Sequence, residues 1–118
     1  MKKIILALLV ILILVLTTYK AYIMITPEVV VSNLSATLIR SVSIQLPNNR
    51  IVFGNIAPKS SSTILYSVDQ TDGTYKYIII FDTGETVTNE CGYITDNEIG
   101  KVFQITIKSV KEIKCSSK

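Results

Sequence analysis

The sequence contains no histidine at all. Ser-His-Asp and Cys-His nucleophilic chemistry, histidine-ligated zinc and a histidine pH switch are thereby excluded together. Cysteine is scarce too, with only the 2 residues Cys91 and Cys115. Neither lies near the end of the apolar N-terminal run, which excludes the usual lipoprotein form. Two thiols without histidine are also too few for a zinc site. Net charge is missing from most of the chain. Of the 12 basic residues, Lys2, Lys3 and Lys20 belong to the first 25 positions, and the others are balanced by the 9 acidic ones. The formal +3 therefore belongs to the N-terminal segment, and the remainder offers no electrostatic footprint for DNA or RNA. A basic concentration from Lys108 to Lys118 is able to touch a membrane surface, though its ordinary reading is a solvated strand end.

Internal repeats and low-complexity segments are absent; Ser60-Ser61-Ser62 is a short polar loop. Asp69, Asp72, Asp96, Asn97 and Glu98 carry oxygens, but without the patterned spacing a calcium loop needs. They read as turn residues, and no cofactor or metal is implied.

What the chain does have begins at its N-terminus. Lys2 and Lys3 precede an unbroken apolar run from Ile4 to Leu16, the pattern of a secretory signal. Cleavage after Ala21 would put the bulky Tyr19 where a small residue is needed. Apolar character resumes after Lys20 and lasts to Ile25, just before Pro27. As a helix, residues 4–25 measure about 33 Å, enough to cross a bilayer core. Lys20 near the outer end can snorkel to the headgroups, and Tyr19 and Tyr22 suit the interface. Residues 1–26 thus read as a signal anchor, with a cleaved signal peptide and a secreted domain as the alternative. The leading lysines put the N-terminus in the cytoplasm and the domain outside it.

Residues 27–118 change to a period of two, the mark of half-buried strands. Val42, Ile44 and Leu46 alternate with polar residues up to the turn Pro47-Asn48-Asn49. Ile51 with Phe53, then Ile64, Tyr66 and Val68, make further inward rows. Tyr75, Tyr77, Ile79 and Phe81 share one face of a strand apolar on both sides at its far end, hence central. Asp82-Thr83-Gly84-Glu85 is a hairpin turn before a strand carrying Val87 and Cys91. Phe103, Ile105 and Ile107 give the last strong strand. The expectation is an all-β, single antiparallel sandwich of six or seven short strands behind one N-terminal helix.

The stretch from Asn55 through Pro58 to Thr63 resembles the I-x-P-G-E-S-x-T connection of bacterial immunoglobulin-like and fibronectin-like sandwich domains. Lys59 stands where that connection has glycine. Asp72-Gly73-Thr74-Tyr75 and Cys91-Gly92-Tyr93-Ile94-Thr95 are similar to segments of small exported bacterial proteins of unknown function with a G-Y-V-T segment. The resemblance spans about residues 28–108 and implies an immunoglobulin-like fold and export to the periplasm or cell surface. It implies no activity.

Four local signals compete with plain structural explanations. Asp82-Thr83-Gly84 after apolar residues matches the aspartic-protease loop, in which two carboxylates share a proton. Glu85 replaces the small residue that family prefers, and the 34 residues after Gly84 are too few for its flap and second half. A hairpin turn explains the tripeptide. Cys91 and Cys115 admit a disulfide, a free pair with Cys91 as a core residue, or an intermolecular bond. Asn33-Leu34-Ser35 fits the glycosylation pattern, which recurs by chance. Tyr93 beside Gly92, with Asn97 nearby, is the best candidate for an exposed partner contact. The functional expectation is a non-enzymatic, membrane-tethered module binding a protein partner. Its rivals are a periplasmic immunity or inhibitor protein and, remotely, a protease using Asp82.

Overall fold

After Lys3, no glycine, proline or charge interrupts the chain until Lys20, and the computed structural model, which describes residues 1–117, shows one continuous helix there. This helix, α1 (Lys2–Ile25), is 24 residues long. Thr17 and Thr18 turn their hydroxyls back onto the carbonyls of Ile13 and Leu14 at 2.7 and 2.8 Å. Their donors are thereby satisfied without water. The helix stops because Thr26 precedes Pro27 and is extended, with φ −76° and ψ 125°. No residue of α1 is buried, and its length and apolarity are those of a helix able to cross a membrane.

The remainder is strand. It comprises β1 (Glu28–Asn33), β2 (Ile39–Gln45), β3 (Arg50–Phe53), β4 (Ser60–Leu65), β5 (Gly73–Phe81), β6 (Thr86–Ile94), β7 (Val102–Ser109) and β8 (Glu112–Ser117). They make two four-stranded sheets, ordered β4-β1-β7-β8 and β3-β2-β5-β6. Alternation sends every second side chain into the layer between them. Val29 and Val31 of β1, Ile105 and Ile107 of β7, and Val42, Ile44 and Ile79 of the other sheet are all fully buried. Each such side chain contributes about 1.5–3 kcal/mol by leaving water, which is why eight weak strands hold together.

The sheets depart from the sequence expectation in four places, the simplest being Ser60-Ser61-Ser62, read as a loop and found at the start of β4 against β1. The sandwich is not wholly antiparallel: β1 and β7 pair in parallel from Glu28↔Val102 to Asn33↔Ile107. β6 returns to the helix end, so the strand that follows it sets out in the same direction as β1. A hydrogen bond from the Glu28 N–H to the Lys101 carbonyl, at 2.9 Å, fixes their common start. The basic segment read as a solvated strand end contains a further strand, β8, paired with β7 and facing the core with half-buried Ile113 and Cys115. The row Ile64, Tyr66, Val68 is cut, because β4 ends at Leu65 and Tyr66 donates its N–H to the Pro27 carbonyl instead.

These connections give the molecule two ends. The end next to α1 carries the loops between β2 and β3, β4 and β5, and β6 and β7. The far end carries the β1–β2 and β3–β4 connections, the Asp82–Glu85 turn and the β7–β8 turn.

Candidate functional site

The helix-proximal end carries Gly92, Asn97 and Gly100 of the five positive-φ residues, against Lys59 and Gly84 at the far end, together with the buried aromatic cluster. β6 carries one residue more than β5 here, since Gly73 pairs with Ile94 and Tyr75 with Cys91. Gly92 is that extra residue, at φ +68°. A Cβ on it would lie 3.1 Å from Phe103 and 3.2 Å from Tyr75, so only glycine fits this bulge. The bulge turns Tyr93 outward, where it is 80% exposed. Beneath Gly92 the rings of Tyr75 and Phe103 stack at 3.6 Å, and Tyr66 meets Tyr75 edge-on. The Tyr66 and Tyr75 hydroxyls share a buried hydrogen bond of 2.8 Å. Burial pushes both phenols up; the shared bond raises Tyr75 further and lowers Tyr66 in part.

The loop between β6 and β7 is closed by its own polar groups. The Glu98 carboxylate accepts from the Thr95 N–H and hydroxyl and pairs with the Lys101 ammonium at 2.6 Å. Lys101 also donates to the Tyr93 carbonyl and sits 5.3 Å from the centre of the Tyr75 ring. Burial works to raise the Glu98 carboxyl, but Lys101 and the Thr95 hydrogen bonds outweigh it and hold it below its ordinary value. Asn97 takes φ +57° and Gly100 φ +65°. The Asn97 N–H donates to the Val68 carbonyl at 3.0 Å, and the Gly100 N–H to the Ile25 carbonyl of α1 at 2.9 Å. A Cβ at Gly100 would stand 3.0 Å from the Met24 carbonyl, so the close approach of loop and helix requires glycine. On another side of the helix end, Tyr22, Ile25 and Thr26 face Leu65, Tyr66 and Val68 across an open cleft of about 440 Å³.

Of the residues singled out in the sequence, Gly92, Tyr93 and Asn97 are thus gathered at this end. Cys91 and Cys115 are joined, with S–S 2.03 Å, and tie the edge strand β6 of one sheet to the edge strand β8 of the other. Asp82 lies at the opposite end, on an exposed turn closed by the Gly84 N–H to Phe81 carbonyl bond of 2.9 Å. Its carboxylate faces Arg40 at 3.6 Å rather than another carboxylate. Among the described residues no group of three or more metal-ligating side chains converges. The basic residues Lys108 and Lys111 sit at the far end, away from α1, and Lys118 lies outside the described residues.

Asn33 is where the sequence pattern misleads. It is fully buried, and its amide nitrogen donates to the carbonyls of Thr37, Ile56 and Ala57 at 2.9, 3.0 and 3.2 Å. Its oxygen accepts from the Ser35 N–H and hydroxyl. A nitrogen so engaged is not an acceptor for sugar; Asn33 is the knot that ties the β1–β2 connection to the β3–β4 connection. Gln70 plays a like part near the helix and was not foreseen. Buried at 2% exposure, it donates to the Asn49 side chain and the Ser67 carbonyl and accepts from the Asn48 N–H. Neither role leaves a local sequence signal, because the partners are set by loops distant in the chain.

No family model and no curated protein matches this chain. Among solved structures it is similar to the NMR structure of a protein from Eubacterium rectale. The two share 9% identity over 77% of this chain and 86% of that one, with a TM-score of 0.55. That likeness is one of fold and carries no activity across.

Proposed function

We propose that this chain is a membrane-tethered, extracytoplasmic immunoglobulin-like module without catalytic chemistry, which holds a protein partner close to the bilayer. The observation that carries the reading is α1. Its most apolar stretch has a mean hydropathy of 2.6, and nothing in its own chain covers it. A side chain of its kind gains about 1.5–3 kcal/mol on leaving water, so a run this long finds its low-energy state in a bilayer. Retention of the helix is supported by its direct bond to the domain, Gly100 to Ile25, with no flexible linker between them. The Cys91–Cys115 bond suits an oxidising compartment.

The immunoglobulin-like label rests on two facing sheets in one small domain. Sheets of four and four strands with a parallel pair inside one of them depart from the four-and-three constant type. For partner binding, β3 and β4 each leave one side without a neighbouring strand, and Val52 on β3 is 59% exposed. Such an edge is a rail for an added strand.

The test is the intact mass of the protein in its native membrane fraction, after carbonate washing and with and without prior crosslinking. The full 118-residue mass in the washed membrane, with a crosslinked adduct of higher mass, is the expected result. A soluble species lacking about twenty N-terminal residues overturns the tether. A membrane-bound chain that yields no adduct overturns the partner.

A further inference from the structure

We propose that Ile99 and Tyr93 form a foot that enters the headgroup layer of the same bilayer and fixes the attitude of the sandwich above it. The inference rests on the tether reading and goes beyond it, since a tethered domain could equally ride free of the surface. Height comes first. A hydrocarbon core of about 30 Å takes about 20 helical residues, so a span starting at Ile4 leaves the core near Ile23. Ile25 then lies about 3 Å higher, inside a headgroup layer about 5–7 Å deep. The Gly100 N–H is bonded to the Ile25 carbonyl at 2.9 Å, so the residue before it is held at the same level.

Chemistry agrees with that position. Ile99 is 69% exposed and Tyr93 80%, among the most exposed large apolar side chains of the domain. Water gives no reason for an isoleucine at a loop tip next to the end of a membrane-length helix; the interface does. The loop's own polar groups are already used, Glu98 on Lys101 and Thr95, and Lys101 on the Tyr93 carbonyl. Paired in this way, the two charges do not oppose entry into a medium of lower dielectric. Asp96 is the loop's remaining charge, and Asp69 and Asp72 are acidic residues on the same end. With Lys20 and Arg50 also at this end the charges nearly balance, which gives anionic lipid no hold and points to a zwitterionic surface held by apolar contact. The backbone is stiff where it needs to be, with Asn97 and Gly100 both at positive φ and both bonded to neighbouring segments.

The chain has no tryptophan, so a single one reports its own surroundings. Ile99→Trp, Tyr93→Trp, Leu14→Trp and Val52→Trp are made in the full-length chain and reconstituted into phosphatidylcholine vesicles. Some vesicles carry lipid brominated near the headgroup, others lipid brominated near the chain ends. All four sites are exposed, so none of the variants disturbs the core. Expected is quenching of Ile99→Trp and Tyr93→Trp by the shallow bromines, quenching of Leu14→Trp by the deep ones, and none of Val52→Trp. Quenching of Leu14→Trp with Ile99→Trp untouched overturns the foot and leaves the tether standing. If Leu14→Trp is not quenched either, the tether fails and the foot falls with it. Equal quenching of Val52→Trp and Ile99→Trp also overturns the foot, because the domain then lies flat on the lipid.

Discussion

The two ends of this sandwich solve the same problem in different ways. Both must turn the chain repeatedly without stranding buried polar groups. The far end centres on one side chain, Asn33, whose five hydrogen bonds gather Ser35, Thr37, Ile56 and Ala57 around a single amide, with Lys59 and Gly84 at positive φ on the neighbouring turns. The helix-proximal end spreads the work over Gln70, the Tyr66–Tyr75 hydroxyl pair and the Glu98–Lys101 pair, with Gly92, Asn97 and Gly100 at positive φ. A single knot is compact, and losing it loses everything it holds. A distributed arrangement loses one part at a time, and it can carry exposed residues such as Tyr93 and Ile99 while remaining ordered.

The sharpest way to break that contrast is Asn33→Ala. Five hydrogen bonds are lost at once, at about 0.5–1.5 kcal/mol each, and the buried Ser35 N–H loses its acceptor, while the Thr37, Ile56 and Ala57 carbonyls keep Ser35, Ile39 and Ser60 as donors. The expected cost is about 4 kcal/mol in urea unfolding. Amide exchange should rise first in the β1–β2 and β3–β4 connections. A cost below about 1 kcal/mol would mean that the remaining donors suffice and that the far end has no knot.

Next in size is the staple between β6 and β8. Its sequence separation of 24 gives about 3 kcal/mol in the loop-entropy account. β8 has no fully buried residue, so after reduction, or in the Cys91→Ser, Cys115→Ser double variant, it should be the first element to lose exchange protection. β1 and β7 should keep theirs. Simultaneous loss along both sheets would show that the bond holds the ends together rather than one edge.

How much of this was legible follows from the range of each signal. Rows such as Tyr75, Tyr77, Ile79, Phe81 lie within one strand, and the period of two exposes them directly. Pro27 marks the end of α1 for an equally local reason. β8 was hidden because Ile113 and Cys115 alone are too short a row against lysines and serines. The parallel β1–β7 pair is a relation between distant segments, decided by which way β6 happens to run. At the site, Gly92, Tyr93 and Asn97 stood out as residue types at a turn, but the bulge that explains Gly92 is visible only once Tyr75 and Phe103 lie beneath it. The structural part of Asn33 was out of reach for the same reason: two of its partners, Ile56 and Ala57, are 23 and 24 residues away.

The smallest expected effect tests whether charge contributes to the distributed end. Glu98 is held below its ordinary 4.5 in the folded protein, so the unfolded chain binds the proton more readily. The stabilisation is therefore complete above about pH 4.5 and is lost as pH falls through the lower, folded value. With side-chain exposures of 14% for Lys101 and 23% for Glu98, the pair is neither free in water nor sealed, and about 1 kcal/mol is a fair ceiling. The quantity to read is the difference between wild type and Glu98→Gln, in which everything the two chains share cancels. Thermal midpoints followed by circular dichroism should put the variant below wild type at pH 7. The two curves should close together as the pH falls through that lower value, below which both chains carry a neutral side chain at this position. Curves that stay parallel down the whole acid range would mean that the loop is held by Gly100, Asn97 and its backbone bonds alone. The proximal end would then be distributed over backbone geometry and aromatic packing, with its one close ion pair contributing no stability.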